Sequence, residues 1–154
     1  YNRRFFYEYM NENRKENQLS LLYVDLDDFK KVNDAHGHHI GDGALELVAR
    51  LMREAFPGDF IVRLGGDEFL ICLVGERSLA FLEEKANRLL QSLLGAFQAS
   101  DYLRVMSASI GIASSADPGT KLDDLVRQSD IAMYAAKQSG KSRCCVYSSG
   151  LIKK

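Results

Sequence analysis

The hydrophobic pattern of the chain has two periods, one typical of helices and one typical of buried strands. Apolar residues recur at helical spacing over residues 1–15, 40–55, 79–97 and 120–137. Shorter runs rich in apolar residues predict strands at 19–25, 60–62, 69–74, 103–113 and 144–147. The resulting order predicts an α+β fold, with helices packed on a mostly antiparallel sheet.

Local signals give the bounds of several of these elements. Residues 19–25 are almost continuously apolar and end in Asp25, so we expect the central strand of the sheet there. Ser78 is a plausible helix cap, and Thr120 with Asp123 resembles a capping box. The first helix begins without a recognisable cap, and Pro57 with the glycine after it ends the helix before the hairpin.

Composition indicates one globular domain. The 154 residues are 46% hydrophobic and 27% charged, with a net charge of −1, which gives no general reason to expect nucleic acid or an anionic membrane as a partner. No apolar run has the length of a bilayer span, so we expect a cytoplasmic domain without membrane contact. The three cysteines, two of them adjacent at Cys144 and Cys145, suit a reducing compartment, and we assign them no chemistry.

The predicted hairpin has an unusual tip, with two adjacent glycines followed by two acids. Gly65 and Gly66 can adopt the positive φ angles of a tight turn and let a ligand approach the backbone closely. Asp67 and Glu68 begin the return strand, so their side chains are expected on opposite faces. A solvated acidic turn is an equally consistent interpretation of this stretch alone.

A second acidic stretch, residues 25–34, starts where the predicted central strand ends, and residues 37–42 follow it. Carboxylates from this strand end and from the hairpin tip could converge on a hard cation such as Mg²⁺, which binds oxygen ligands and is often shared with phosphates. Lys30 would add a positive charge for a phosphate. The alternative is again a solvated turn, but we favour the metal site because so apolar a strand ends in so much charge.

Two further groups of residues suggest a nucleotide. Asn33 and Asp42 offer the donors and acceptors that match a guanine edge. Taken alone, each would be interpreted as a helix cap or a turn residue. Lys137 and Lys141 lie four residues apart on one helical face and could hold a triphosphate, or could simply complement the helix dipole. The histidines form no catalytic pair, and we interpret His38 as structural.

These motifs closely resemble the GGDEF family, the diguanylate cyclases that join two GTP molecules into cyclic di-GMP and release two pyrophosphates. The family's signature is unbroken at residues 65–69, and further matches follow in order at residues 2–4, 25–34, 37–42, 109–113 and 130–140. The resemblance implies a fold close to nucleotide cyclases and polymerase palms, with a ferredoxin-like core.

The resemblance also implies roles for individual residues. Asp25, Asp67 and the Leu26 carbonyl would hold Mg²⁺ or Mn²⁺, and Glu68 would be a further ligand or help to deprotonate the ribose 3′-hydroxyl. Asp67, Glu68 and Lys30 would be the catalytic residues. The substrate-binding residues would be Phe29, Lys30, Asn33, Asp42, Leu45, Gly66, Lys137 and Lys141, with Phe29 and Leu45 lining the base pocket.

The sequence departs from the family pattern in two places. Lys141 and Ser142 stand where Arg and Asn are more common in the family. The outer phosphate would therefore be contacted by the single ammonium of a lysine rather than by the forked donors of an arginine. Phe56 and Asp59 stand where the family's product-inhibition motif has arginine and aspartate. Because phenylalanine cannot bind a phosphate, we expect no product inhibition through that motif.

Three functions remain open from the sequence. The leading one is an active diguanylate cyclase that works as a two-fold homodimer, excised from a longer signalling protein with an upstream sensory or dimerising domain. The second is a catalytically silent GTP-binding module that regulates an attached domain. The third is a cyclase that also accepts ATP, against which the carboxylate of Asp42 argues.

Overall fold

The computed structural model of the protein describes residues 1–115 and 117–151. None of the helices described in those ranges is both long and apolar enough to cross a membrane. The elements are, in chain order, α1 (Arg3–Asn13), β1 (Leu19–Asp27), α2 (Phe29–His36), α3 (His38–Ala55), β2 (Phe60–Arg63), β3 (Glu68–Val74), α4 (Leu79–Gln98), β4 (Ser107–Ser114), α5 (Leu122–Gln138) and β5 (Arg143–Val146).

The described strands form one sheet in the order β2-β3-β1-β4-β5. β1 lies at its centre and pairs antiparallel with both β3 and β4. β2 pairs antiparallel with β3, whereas β5 runs parallel to β4. The predicted α+β fold, with a mostly antiparallel sheet around a central strand, is therefore confirmed.

The two faces of the sheet carry separate hydrophobic layers, which sets where each β1 side chain points. Even-numbered residues such as Leu22 and Leu26 pack with α3 and α4. Odd-numbered residues such as Leu21 and Tyr23 pack with α1 and α5. Because strand side chains alternate between faces, Asp25 and Asp27 continue the row that faces α5. The acidic end of β1 and the last long helix thus share one face.

Gly111 of β4 lets α5 lie directly on the sheet. A Cβ atom at this glycine would come within 2.1 Å of the Ser129 carbonyl oxygen and 2.2 Å of the Met133 nitrogen, both in the backbone of α5. No L side chain fits such a gap without moving the helix. This close packing brings the C-terminal turn of α5 to the acidic end of β1.

Two predicted helix starts are wrong. The side chain of Asn2 caps α1 by accepting a hydrogen bond from the Phe5 backbone N–H at 2.8 Å, where the sequence suggested no cap. For α5 the cap position is Lys121, which makes no side-chain capping bond, so the capping box at Thr120 does not form. Ser78 does cap α4, as predicted.

Two strand boundaries also differ from the prediction, and a helix appears that was not predicted. β1 continues to Asp27, and Asp28 in the left-handed conformation (φ 63°) turns the chain into α2. The sequence pattern did not reveal this helix because its eight residues have only two buried apolar side chains, Phe29 and Val32. β4 begins at Ser107 rather than Leu103, which is buried in the turn that precedes the strand.

Candidate functional site

The pairing of β1 with β3 brings carboxylates together at one end of the sheet. Asp25 lies directly opposite Glu68, so the two side chains share a face. On that face the Tyr23 hydroxyl donates to Glu68 Oε2 at 3.1 Å. The Leu26 backbone N–H donates to the Asp67 carbonyl oxygen at 3.0 Å, which ties the hairpin tip to the end of β1. The predicted convergence of the strand end and the tip therefore exists.

The two tip glycines serve the site differently from what the sequence suggested. Neither Gly65 nor Gly66 has a positive φ, so the predicted left-handed turn is wrong. A Cβ on Gly66 would meet nothing within 4 Å, so there is open space beside its backbone, whereas a Cβ on Gly65 would lie 3.3 Å from Glu68 Oε1. The Arg63 guanidinium donates to the carbonyl oxygens of Gly65 and Gly66 at 2.9 and 2.8 Å, and holds the tip in place.

Asp25 is a carboxylate with too few partners. Burial, and then the neighbouring charges of Asp67 and Glu68, raise its pKa to about 7, although the Lys137 ammonium opposes the shift. A cation near Asp25 would relieve this accumulation of negative charge.

Lys137, predicted as a phosphate ligand, lies between two acids. Its ammonium is 3.0 Å from Asp27 Oδ1 and 3.5 Å from Asp25 Oδ1. Burial alone would lower its pKa, but the contacts with both carboxylates raise it, so Lys137 carries a full positive charge. Lys137 therefore lies at the acidic end of β1, where it forms ion pairs with Asp25 and Asp27.

The sequence analysis assigned no role to Asp27, which the structure makes a main feature of the site. Its side chain is fully buried and accepts hydrogen bonds from two serines, a lysine and a backbone N–H. Burial would raise the pKa of Asp27, but these bonds together hold it below the ordinary value. The alternation of β1 could have marked this residue, because it places Asp27 on the same face as Asp25.

The other two lysines of the site lie at the surface. The Lys30 ammonium bonds Asp34 at 2.9 Å, and both side chains are largely exposed. Lys141 lies beyond the end of α5 with a positive φ, so the predicted shared helical face with Lys137 is wrong. Its half-exposed ammonium contacts Asp28 at 3.3 Å. Exposed ion pairs of this kind contribute little stability, so both ammonium groups can exchange their carboxylates for a phosphate.

Asn33 presents an unusual group at the predicted base-binding end. Its Oδ1 atom is buried and has no hydrogen-bond partner in the described part of the chain. A Cβ atom on Gly41 of α3 would lie 1.7 Å from this oxygen, so the glycine makes room for the amide. A buried acceptor without a donor is costly, and a ligand could satisfy it only after the Asn33 amide rotates to expose this oxygen.

The structure divides the remaining predicted residues between two clefts. A groove of about 730 Å³ is lined by Asp42 and Leu45, and also by Arg53, Phe56 and Asp59. A smaller cleft of about 400 Å³ has among its lining residues Asp25, Leu26, Phe29, Lys30, Asp67 and Lys137. The two residues predicted to line the base pocket are therefore divided, since Phe29 lies in the cleft with the acids and Leu45 in the larger groove.

A preformed metal site is not present in the described residues. No group of three His, Cys, Asp or Glu side chains within residues 1–115 and 117–151 is arranged to hold an ion. The donors nevertheless suit a hard cation, because Asp25, Asp67 and Glu68 supply carboxylate oxygens. Leu26, whose side chain is buried in the core, supplies its backbone carbonyl oxygen. The residues fit Mg²⁺ in chemistry, although Lys137 is the positive charge now beside Asp25.

Comparison with known proteins identifies the family. The profile described as "Diguanylate cyclase, GGDEF domain" matches residues 1–143. The chain belongs to the GGDEF family. The structure of this GGDEF domain is similar to that of the GGDEF domain of DgcB from Caulobacter crescentus in complex with c-di-GMP, with a TM-score of 0.81, 26% identity, and coverage of 94% of this chain and 90% of that one.

Two curated relatives differ in the activities that their names give. The GGDEF domain is 39% identical over 85% of its length to the cyclic di-GMP phosphodiesterase PdeR of Escherichia coli K12. It is 38% identical over 90% of its length to MucR of Pseudomonas aeruginosa, named as a bifunctional diguanylate cyclase/cyclic di-GMP phosphodiesterase. In both cases it spans 20% of the relative's length.

Proposed function

We propose that this GGDEF domain is a diguanylate cyclase, which condenses two GTP molecules into cyclic di-GMP and releases two pyrophosphates. One observation carries the proposal: an unbroken Gly65–Phe69 signature places Asp67 and Glu68 beside Asp25, within reach of Lys137. Placing three acids and a lysine together at the end of a buried strand costs free energy of folding. They suit the binding of a triphosphate with its counter-ion.

The substrate residues divide by the part of GTP that they would bind. Asn33, through its unpaired Oδ1, would accept from guanine, and Asp42 would accept a second donor of the same base. Phe29 and Leu45 would line the base pocket, and the open space at Gly66 would admit the nucleotide to the backbone. The phosphates would be bound by Lys30, Lys137 and Lys141.

In the reaction the ribose 3′-oxygen of each GTP attacks the α-phosphorus of the other. Two phosphorus–oxygen bonds form, the two bonds to the β-phosphates break, and two pyrophosphates leave. Asp25, Asp67 and the Leu26 carbonyl would hold Mg²⁺ or Mn²⁺, which neutralises phosphate charge when bound. Glu68, next to them, would be a further ligand or accept the 3′-hydroxyl proton, and the lysines stabilise charge that develops on the phosphates.

A two-fold product requires two active halves that face each other. Each of the proposed ligands occurs once in the chain, so one domain binds one GTP and supplies one attacking hydroxyl. The catalytic unit is therefore a two-fold homodimer with the substrates across its interface. Its parent would be a longer cytoplasmic signalling protein in which an upstream sensory or dimerising domain controls the encounter of the halves.

A second candidate function is a silent GTP-binding module that regulates an attached domain. The similarity to PdeR, which is named as a phosphodiesterase, favours it. The unbroken signature argues against it, because a module that only binds GTP does not need a residue to accept the 3′-hydroxyl proton, which is a role proposed for Glu68.

Product analysis separates these functions from each other and from a cyclase that accepts ATP. The purified domain is incubated with Mg²⁺ and either GTP or ATP, and the products are identified by mass. We expect cyclic di-GMP from GTP and no cyclic product from ATP. Intact GTP recovered with the protein would support the silent module, and comparable products from both nucleotides would contradict the guanine assignment.

A dilution series tests the homodimer. At saturating GTP and Mg²⁺, the specific activity of the isolated domain should rise with enzyme concentration, and fusion of a dimeric coiled coil before Tyr1 should raise it further. The measurement is the initial rate of product formation, with the mass in solution followed by light scattering. A rate strictly proportional to enzyme from a protein that stays monomeric would contradict the dimer.

A further inference from the structure

The carboxylate of Asp27 uses both of its oxygen atoms inside the protein. Oδ1 accepts from the Ser109 hydroxyl at 2.8 Å and from the Lys137 ammonium at 3.0 Å. Oδ2 accepts from the Ser107 hydroxyl at 2.6 Å and from the Ser142 backbone N–H at 3.1 Å. The residue is 0% exposed. Asp27 therefore cannot contact a substrate and can act only through the groups that it holds.

Two of those groups lead to the proposed phosphate lysines. Lys137 is held directly, at the last turn of α5. Lys141 is held through the next residue, because Ser142 donates its backbone N–H to Asp27. Lys141 and Ser142 both have positive φ angles, 64° and 49°, a conformation that costs free energy for residues with a side chain. The hydrogen bond from Ser142 to Asp27 helps to hold this turn and so fixes the backbone position from which the Lys141 side chain extends.

The two acids around Lys137 hold it unequally. The distance to Asp27 is 3.0 Å and that to Asp25 is 3.5 Å. A nucleotide and its cation would compete for the longer contact, because Asp25 is the proposed metal ligand. The bond to Asp27 can persist while the ammonium, which has three donors, turns another proton toward a phosphate.

We propose that Asp27 is a positioning residue, which sets Lys137 and Lys141 for the phosphates of the nucleotide. This inference rests on the proposed function. The competing interpretation is a purely structural role that joins β1, β4 and the end of α5. The two differ in what the loss of Asp27 does: a structural role lowers stability, whereas positioning selectively weakens the binding of the outer phosphates.

The test is a calorimetric titration of Asp27→Asn with two ligands in the presence of Mg²⁺. One is a GTP analogue with a methylene bridge between the α- and β-phosphates, and the other is GMP, which lacks the outer phosphates. We expect the variant to bind the analogue about tenfold more weakly, because charge-assisted hydrogen bonds are misdirected. Binding of GMP should change by less than about twofold.

Ser115→Ala is the matched control. The Ser115 hydroxyl is buried and accepts from the Leu19 backbone N–H at 2.9 Å, at the opposite end of the same pair of strands. Its loss removes a buried hydrogen bond, so thermal stability falls while both affinities stay unchanged. Asp27→Asn binding the analogue as tightly as the wild type, or losing analogue and GMP equally, would overturn the inference.

Further outcomes separate this inference from the function on which it rests. A wild-type protein that binds neither ligand overturns the proposed function and the inference with it. A Lys137→Ala variant that binds the analogue normally overturns the inference alone. If Asp27→Asn does not fold, the Lys137 ammonium in the wild type is followed by nitrogen NMR. We expect slow proton exchange that resists added salt, and exchange as fast as that of exposed lysines would overturn the inference.

Discussion

The site has an anchored half and an open half, and they differ in how well their polar groups are satisfied. The anchored half consists of Asp27, Ser107, Ser109, Lys137 and Ser142. The open half consists of Asp25, Asn33, Asp42, Asp67 and Glu68. In the anchored half the buried carboxylate has four donors. In the open half the Asn33 carbonyl has none in the described structure, and Asp25 has one lysine among other acids.

Asp25 and Asp27 make this contrast most clearly. They are two residues apart on one strand and face the same helix, yet their pKa values shift in opposite directions. Burial raises both pKa values, but Asp27 has four hydrogen-bond donors, whereas Asp25 has one lysine and the like charges of Asp67 and Glu68 nearby. The comparison shows that the acidic end of β1 contains two kinds of carboxylate. The protein itself satisfies Asp27 with hydrogen bonds, whereas Asp25 is left for a ligand to stabilise.

The largest effect is expected from the open half at Asp67. Asp67→Asn should lower turnover of GTP by about a thousandfold, because it removes a charge that would hold the cation, while thermal stability changes little. The measurement is the initial rate of pyrophosphate release. The exposed Glu8→Gln on α1 is the control, and near-normal turnover in Asp67→Asn would show that the metal ligands are misassigned.

Specificity should also depend on the open half. Asp42→Ala should reduce the preference for GTP over ATP by about a hundredfold, since a polar site discriminates by pairing the groups of its ligand. The ratio of kcat/KM for the two nucleotides measures this effect. An unchanged ratio would remove Asp42 from guanine recognition.

A smaller effect is expected where the protein makes room for Asn33. Gly41→Ala places a methyl group in the space of the Asn33 carbonyl, so we expect about a tenfold loss of affinity for GTP. Gly43→Ala on the same helix is the matched control, because its Cβ would meet nothing within 4 Å. Equal affinities for the two variants would contradict a role of Asn33 in binding.

The smallest effect is one of stability, and its sign depends on pH. The pKa of Asp25 rises from 3.8 to about 7 on folding, so ionisation opposes folding increasingly as pH rises through that window. In metal-free buffer Asp25→Asn should therefore raise the free energy of unfolding at pH 8 by about 1 to 2 kcal/mol, and by little at pH 4. Denaturant unfolding at both pH values measures it, and the same gain at both would refute the explanation.

The same contrast explains what the sequence could and could not predict. The apolar run at residues 19–24 identified the central strand. The prediction that the two acidic stretches meet at the end of this strand agrees with the pairing of Asp25 with Glu68. The role of Asp27 was missed because its partners Ser107 and Ser142 lie 80 and 115 residues away in the chain. The positive φ expected at Gly65 and Gly66 is absent from the hairpin tip, whose two glycine carbonyls accept hydrogen bonds from Arg63 instead.

One measurement tests the central claim most directly, that the open half performs chemistry on GTP. The wild-type domain is incubated with GTP and Mg²⁺, and pyrophosphate and cyclic di-GMP are counted together over time. The account predicts two pyrophosphates for each cyclic di-GMP, so pyrophosphate should appear at twice the rate of cyclic di-GMP throughout. GTP that stays intact while bound to a folded protein would contradict it.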